Sequence, residues 1–327
     1  MDTPTHAIIG RLAARAIWPQ KKDSGLVNLA TICSIIPDLD VFIPGDALES
    51  LVTHRGFSHS IVGALIGAAV VAQIASKTKM KATSFTSLFC ACFLGWAFHI
   101  LFDVLTSYGT VVFAPFSNYR VSLDTLFIID PYLDLIVIAG LCLGWKSRLG
   151  GRAYRGASYL LLAYVLLSAA LTVKGIIDTK NWAEEKGIAV DHLVVMPTPF
   201  SPLHRRAMIT SGSDVHCLSI SLDKGIDKES TVFRAAIGHP KLEEIWKTRA
   251  GEIYKWFARV PIVEFDEGKI YIQDLQFMQR SHGLGWLGRK VARMMLARNP
   301  KAFERRMFML EVNVKSDNQL GDIIFRK

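Results

Sequence analysis

The chain is predicted to fold as a mainly α-helical membrane bundle, with four long spans preceded by a short N-terminal helical hairpin, followed by a small α+β soluble domain. Three observations predict this. Four apolar runs close to bilayer length lie between residues 60 and 173, lysines and arginines gather in the links between them, and from residue 174 the runs give way to shorter alternating segments. Composition agrees: of 327 residues 50% are hydrophobic, and the mean hydropathy of +0.27 is high for a soluble chain and low for one wholly in lipid. The expected domains are 1–173, carrying a metal site, and 174–327.

The elements follow in order. Residues 5–18 and 24–37 are two short apolar stretches split by "PQKKDSG". A helix of 14 residues reaches only about 21 Å, so this hairpin spans poorly. Asp2-Thr3-Pro4 starts the first helix with a capping residue before a first-turn proline. The four long runs are 60–76, 84–105, 126–145 and 156–173, each near the roughly 20 residues that cross a bilayer. In the soluble part, 207–222 reads as two strands around a Gly-Ser-Asp turn, and 242–258 has helical spacing. Residues 261–277 read as a hairpin, and 308–316 and 322–327 as further strands. The basic segment 283–306 reads as an amphipathic helix, packed on its own sheet or lying on a membrane surface.

Charge orients the bundle. Lys21 and Lys22 sit at the tip of the hairpin, Lys77, Lys79 and Lys81 link the first two runs, and Lys146, Arg148, Arg152 and Arg155 link the last two. If the segments alternate, all three clusters share one side, which the positive-inside bias makes cytoplasmic. The N-terminus, residues 38–59, the loop 106–125 and everything after 174 then lie on the other side of a cytoplasmic (inner) membrane. The N-terminus lacks the basic region of a signal peptide, so insertion is expected to rest on the internal segments. Cys33, Cys90, Cys92 and Cys142 lie in apolar runs and read as buried small side chains, and no CxxC pair or disulfide framework is visible.

Ionisable groups near membrane segments are costly and have a reason. His6, Asp38, Asp40, His54, His59, His99 and Asp103 all map to the non-cytoplasmic face. His99 and Asp103 are i,i+4 and project from one helix face. Asp38 and Asp40, in "PDLD", follow a proline where a helix ends, so their carboxylates can converge from a loop. Imidazole with carboxylate suits zinc, iron or manganese and argues against a cysteine-type structural site. Seven candidates exceed one tetrahedral shell, so either some orient the others or more than one ion binds. Bland readings compete: interfacial histidines, a capping Asp38, and Asp130 and Asp134 paired with arginine or polar backbone inside the bundle. His192, His204, His216, His239 and His282 show no ligand spacing.

The segments "MDTPTH", "PDLD", "HRGFSHS", "HILFDVLTSYGT" and "APFSNYRVSLDTLFIIDP" together resemble the bacterial family of membrane-bound metal-dependent hydrolases that contains YdjM and YfhP, and are closest to the YfhP branch. The resemblance runs strongly over residues 1 to about 145, with "PTPFSPLHRRAMI" (197–209) more weakly similar to that branch's C-terminal domain. It implies a hydrolase with a divalent metal, zinc foremost with manganese or iron as alternatives, distantly similar to zinc-dependent phospholipase C. It implies His6, Asp38, His54, His59, His99 and Asp103 as the polar motif positions, with Asp40 and Asp124 also matching.

The expected function is therefore a metal-activated water attacking a phosphoester or other ester, with a lipid or lipid-linked substrate at the outer membrane face. Asp38 or Asp40 would be ligand or general base, and Arg55 or Arg120 would bind an anionic headgroup. Two other classes compete: a metal-binding transporter or sensor using Asp130 and Asp134, and a non-enzymatic structural membrane protein. No zinc finger, RNP motif or glycine-rich phosphate loop points to nucleic acid. The net charge of +9 is better explained by topology and lipid contact.

Overall fold

A computed structural model describes residues 1–146, 150–221, 225–226, 230–266, 268–278, 290, 294, 308–315 and 319–326. The amphipathic segment predicted at 283–306 lies outside these apart from Lys290 and Met294, as do Arg148 and His282. The chain divides into two compact units, one of Met1–Pro44 with Thr53–Ala169, the other of Gly45–Val52 with Ala170–Lys327.

The first unit is helical. Its elements are α1 (Thr3–Ile17), α2 (Ser24–Cys33), α4 (Ile61–Ala75), α5 (Phe85–Val104), α6 (Pro131–Lys146) and the start of α7 (Gly150–Glu185), while the short α3 (Glu49–Thr53) belongs to the second unit except for Thr53. A 3₁₀ segment, Ile36–Phe42, follows α2. Pro4 opens α1 with Asp2 at the cap position, though the Asp2 side chain makes no capping bond. Ser60 and Ser84 cap α4 and α5 by accepting from the N–H of Gly63 and Ser87.

Among the described residues, three segments are long and apolar enough to cross a membrane: Lys21–Phe42, Phe85–Val104 and Gly150–Glu185. A fourth arises if Glu49–His59 and Ile61–Ala75, bent by 65°, count as one span. This membership differs from the four runs expected. The run 126–145 becomes a helix only from Pro131, because proline has no N–H to give and fits only the first turn. Asp130 caps that helix, accepting from the N–H of Tyr132 and Leu133 at 3.1 Å each. The resulting 16 residues span about 24 Å. Conversely Lys21–Phe42, read from sequence as half of a short hairpin, reaches span length because 3₁₀ turns extend α2 at both ends.

Small residues bring the helices close. A Cβ on Gly95 of α5 would lie 2.2 Å from the carbonyl oxygen of Ala30 on α2, and one on Gly67 of α4 would lie 2.3 Å from the Trp96 ring. Ala14, Ala30, Cys33, Ala68, Leu88 and Cys92 form one buried cluster. Ile9, Leu12, Phe102, Leu133 and Leu161 form another, joining α1, α5, α6 and α7. Cys33 and Cys92 are buried, whereas Cys90 and Cys142 are exposed. The expectation of burial fails for the latter two because an apolar helix in lipid carries apolar residues on its outer face as well.

In the second unit β1 (His192–Thr198), β2 (Ser201–Ser211), β3 (Asp214–Ser221) and β4 (Gly225–Ile226) follow one another in an antiparallel sheet, with β5 (Thr231–Arg234) also on β3. A second antiparallel sheet runs β6 (Pro261–Asp266), β7 (Lys269–Asp274), β8 (Met309–Val314), β9 (Leu320–Arg326). Between the sheets in sequence come α8 (Pro240–Trp246) and α9 (Arg249–Phe257). The helical spacing over 242–258 is thus broken, with Thr248 capping α9.

Candidate metal centre

Four polar side chains converge in the helical unit. Among the described residues, Asp38, His59, His99 and Asp103 each offer one ligand atom to a common point, these atoms lie within 4.8 Å of one another, and all four residues are buried. The Asp38 carboxylate comes from the 3₁₀ segment, where prolyl and aspartyl side chains turn inward. His59 comes from a one-turn 3₁₀ helix, Phe57–His59, immediately before the Ser60 cap of α4. His99 and Asp103 come from one face of α5, one turn apart.

The separations have the scale of a coordination shell. Nε2 of His59 is 2.9 Å from Nε2 of His99 and 3.3 Å from Oδ2 of Asp103. Nε2 of His99 is 3.5 Å from both Asp103 Oδ2 and Asp38 Oδ1, and His59 Nε2 is 3.6 Å from Asp38 Oδ1. A tetrahedral ion with bonds of 2.0–2.1 Å holds its ligand atoms about 3.3 Å apart.

Surrounding groups fix what each ligand presents. Nδ1 of His99 lies 2.8 Å from the Ser34 carbonyl oxygen. A carbonyl only accepts, so Nδ1 carries the proton and Nε2 presents a lone pair. Nδ1 of His59 lies 3.2 Å from Asp40 Oδ2 and 2.9 Å from Ser58 Oγ, while Ser58 Oγ donates to the same Asp40 oxygen at 2.7 Å. His59 therefore also donates from Nδ1 and turns a lone pair inward. Thr3 Oγ1 donates to Asp38 Oδ2 at 2.6 Å. Asp103 Oδ1 accepts from the Met1 α-amino group, from His6 Nε2 at 3.1 Å and from Arg55 at 2.9 Å. Its Oδ2 is buried without a hydrogen-bond donor. Two imidazole nitrogens, within hydrogen-bond distance of each other, and two carboxylate oxygens thus face one point. Such a set repels itself unless a cation sits between, so the residues fit a metal ion. In its absence a proton on Nε2 of His59 is the smallest cation able to relieve the repulsion.

The remaining predicted residues lie around this group. His6 stacks on His99 with ring centroids 3.7 Å apart. Burial, opposed by the bond to Asp103, lowers its pKa to about 3, so His6 is neutral and donates to Asp103. Asp40 points at the outer nitrogen of His59, accepts from His54 Nδ1 at 2.7 Å and takes the Arg55 N–H at 3.1 Å. Arg55 is 2% exposed with φ of 59°, donates to Thr106 Oγ1 at 3.0 Å as well as to Asp103, and lies 4.8 Å from the Tyr108 ring centre. A left-handed backbone is strained for arginine, and these bonds hold it. Burial takes Arg55 off the surface where a lipid headgroup would meet it. Arg120 is half-buried, donates to the Tyr108 carbonyl and lies 5.2 Å from the same ring. Asp124 is buried with φ of 50° and accepts from Ser122 Oγ at 3.1 Å. It is not a member of the group of four. Asp130 accepts from Tyr164 at 2.7 Å and Asp134 from Thr5 at 2.9 Å, which matches pairing inside the bundle.

Sequence reasoning missed Thr3, Ser34 and Ser58, and placed Tyr108 beside the site only as one of the hydroxyls of "TSYGT". Ser58 sits inside the "HRGFSHS" motif, so proximity to a motif was a usable signal. Ser34 acts through its backbone carbonyl and carries none.

Residues 1–180 match the family described as YdjM inner membrane protein. The chain belongs to that family. The match covers the whole helical unit and every residue of the group of four. The family and the apolar helices together put the chain in a membrane. The uncharacterized protein YfhP of Bacillus subtilis (strain 168) is 25% identical over 183 residues, 53% of this chain and 55% of the relative. The match thus spans about half the length of that relative. No solved structure matches.

Proposed function

We propose that this YdjM-family chain is a membrane-bound metal-dependent hydrolase that cleaves a phosphoester or ester of a lipid or lipid-linked substrate. One observation carries the reading: two imidazole nitrogens and two carboxylate oxygens, all from buried residues, converge within 4.8 Å of one another, and Asp103 Oδ2 among them has no hydrogen-bond partner. His59, His99 and Asp103 would hold the ion, zinc first by the nitrogen and oxygen donor set. A divalent ion bound there supplies Lewis acidity and makes water acidic enough to attack at neutral pH. Asp38 is the member with solvent access, its side chain 9% exposed against 0% for the other three. Its Oδ1 receives the proton of the attacking water, while the Thr3 hydroxyl holds Oδ2 and aims the carboxylate. Asp40 orients His59. Arg55 fixes Asp103, and Arg120 meets the anionic part of the substrate.

The ligands sit near the ends of apolar segments, Asp38 in Lys21–Phe42, Asp103 in Phe85–Val104 and His59 at the bend before α4. This supports a reaction at the polar boundary of the bilayer. With the bent pair counted as a span, the basic clusters Lys21–Lys22 and Lys77–Lys81 fall on the side opposite the ligands, which supports the non-cytoplasmic side for the site.

The count of four protein donors favours a second reading, a closed structural ion without turnover. Asp38→Asn separates the two. Under the hydrolase reading the detergent-purified variant keeps near-stoichiometric zinc and loses hydrolysis of a phosphoester panel. Under the structural reading it loses zinc and stability together, and the parent turns over nothing. A parent that takes up none of zinc, manganese or iron refutes both.

A further inference from the structure

Water-facing loops around a polar site are themselves polar, and soluble proteins seldom leave large apolar patches exposed. The loops that build this centre do the opposite. In the 3₁₀ segment Asp38 and Asp40 turn inward, while Leu39, Val41 and Phe42 turn out, Phe42 to 78% exposure. The loop between Thr110 and Val121 is closed at its base by a pair of backbone bonds, Thr110 N–H to Val121 and Val121 N–H to Thr110. Its near side is tied to both ligand-bearing regions. The Val111 N–H donates to the Arg55 carbonyl, the Ile61 N–H donates to the Val112 carbonyl, and the Leu123 N–H donates to the Val104 carbonyl at the end of α5. Its far side carries Phe116 at 86% exposure and Tyr119 at 68%, with Phe113 also exposed. Burial of such rings releases free energy that exposure forgoes, so something apolar covers them.

Continuity identifies the cover. The exposed rings continue the apolar outer faces of the candidate spans, Ile61, Leu65 and Ile66 on α4 and Leu101 on α5. Phenylalanine and tyrosine beside polar neighbours such as Ser117 and Asn118 suit the boundary between headgroups and acyl chains. We propose that the loop 110–121 and the 3₁₀ segment are immersed in this boundary layer and form a lip around the metal centre. Resting on the hydrolase reading, the lip further makes the substrate an amphiphile that approaches from within the bilayer, its ester group meeting the centre without crossing water.

The test labels the full chain with a nitroxide at Phe116→Cys, with Cys90, Cys142 and Cys217 changed to alanine, in phosphatidylethanolamine–phosphatidylglycerol vesicles. Lys79→Cys and Leu166→Cys give water and lipid references, both residues being exposed. The expected label at 116 is relaxed by oxygen and shielded from an aqueous nickel chelate, as at 166. Values equal to those at 79 overturn the lip and leave the hydrolase reading standing. A label shielded from both reagents, in proportion to protein density in the membrane, overturns it in favour of a protein partner. In a second arm, Phe113→Ser/Phe116→Ser keeps its zinc and slows cleavage of a vesicle-embedded phosphoester about tenfold, leaving a short-chain soluble phosphoester unaffected. Equal loss on both substrates overturns the substrate claim. Lipid-like relaxation at 116 with no turnover by the parent keeps the immersed lip and removes the hydrolase reading with it the substrate claim.

Discussion

Asp103→Asn offers a sharp test of the centre because the structure dictates how the amide must sit. Oδ1 receives three donors: the Arg55 guanidinium, the Met1 amino group, whose pKa burial lowers to about 6, and His6. An amide NH₂ cannot face them, so it takes the Oδ2 position and points its hydrogens at the lone pairs of His59 and His99. In the metal-free protein this substitution is close to neutral. Removing one of two carboxylates whose oxygens lie within 4.8 Å relieves repulsion of about 3.5 kcal/mol at an effective dielectric of 20. Leaving Arg55 without its buried carboxylate costs about 3–5 kcal/mol. The two nearly cancel, so the thermal midpoint of the stripped variant stays close to that of the stripped parent. Metal affinity behaves differently. Losing an orienting partner outside the shell costs about 10–100-fold. Here a ligand is lost and an N–H faces the ion, so affinity falls on the order of 10³-fold or more, about 4 kcal/mol. The assay is competition for zinc against a chromophoric chelator, in detergent, beside thermal unfolding. A folded variant that binds zinc within tenfold of the parent refutes the assignment of Asp103 as a ligand.

Other expectations follow from the same geometry. Asp40→Asn keeps the shape but weakens the charge behind His59, and the same competition assay should show a loss of 10–100-fold in zinc affinity. Zinc at a hundred times its dissociation constant should stabilise the parent by about 2.7 kcal/mol, read as a raised unfolding midpoint that is absent in His59→Ala/His99→Ala. Gly95→Ala forces α2 from α5, since its Cβ would sit 2.2 Å from the Ala30 carbonyl oxygen. It should cost about 1–3 kcal/mol in unfolding measurements, with weaker zinc binding because the Ser34 carbonyl that holds His99 moves too. Ser60→Ala removes the α4 cap beside His59 and should cost about 1 kcal/mol by the same measurement.

Much of the centre was legible in the sequence because its ligands come from short, self-contained signals. The i,i+4 pair His99 and Asp103 needs only a helix to share a face, and "PDLD" needs only a helix end. The ranking within the seven candidates was not legible. Whether a histidine turns Nε2 inward or stands behind another residue depends on partners distant in sequence, such as Ser34 for His99, 65 positions away. Arg55 reads as a surface cation until its left-handed backbone and Asp103 are seen together. In the fold, the run 126–145 was misjudged because hydropathy counts Asp130-Pro131 as an interruption within a span, whereas backbone chemistry makes it the start of a helix. Strands β1 and β5 were not marked at all. The edge segment β5 has only four residues, too few to show a period, and β1 has five buried positions in succession, a run without alternation.

The arrangement around the four donors explains why they point one way. Asp38, His59, His99 and Asp103 each have a second polar atom, and each of those atoms is held by a fixed partner: the Thr3 hydroxyl, Asp40, the Ser34 carbonyl, and the trio on Asp103 Oδ1. Rotation of any ligand out of the group breaks a buried hydrogen bond, which costs about 1–3 kcal/mol. The self-repulsion of the group is therefore not relieved by moving the ligands. It is relieved by adding positive charge between them. A proton on His59 satisfies that nitrogen and the atoms it can donate to, but leaves the others facing one another. A divalent ion held by His59, His99 and Asp103 would place positive charge against all four atoms at once, and the surrounding hydrogen bonds have already fixed the ligands that would receive it.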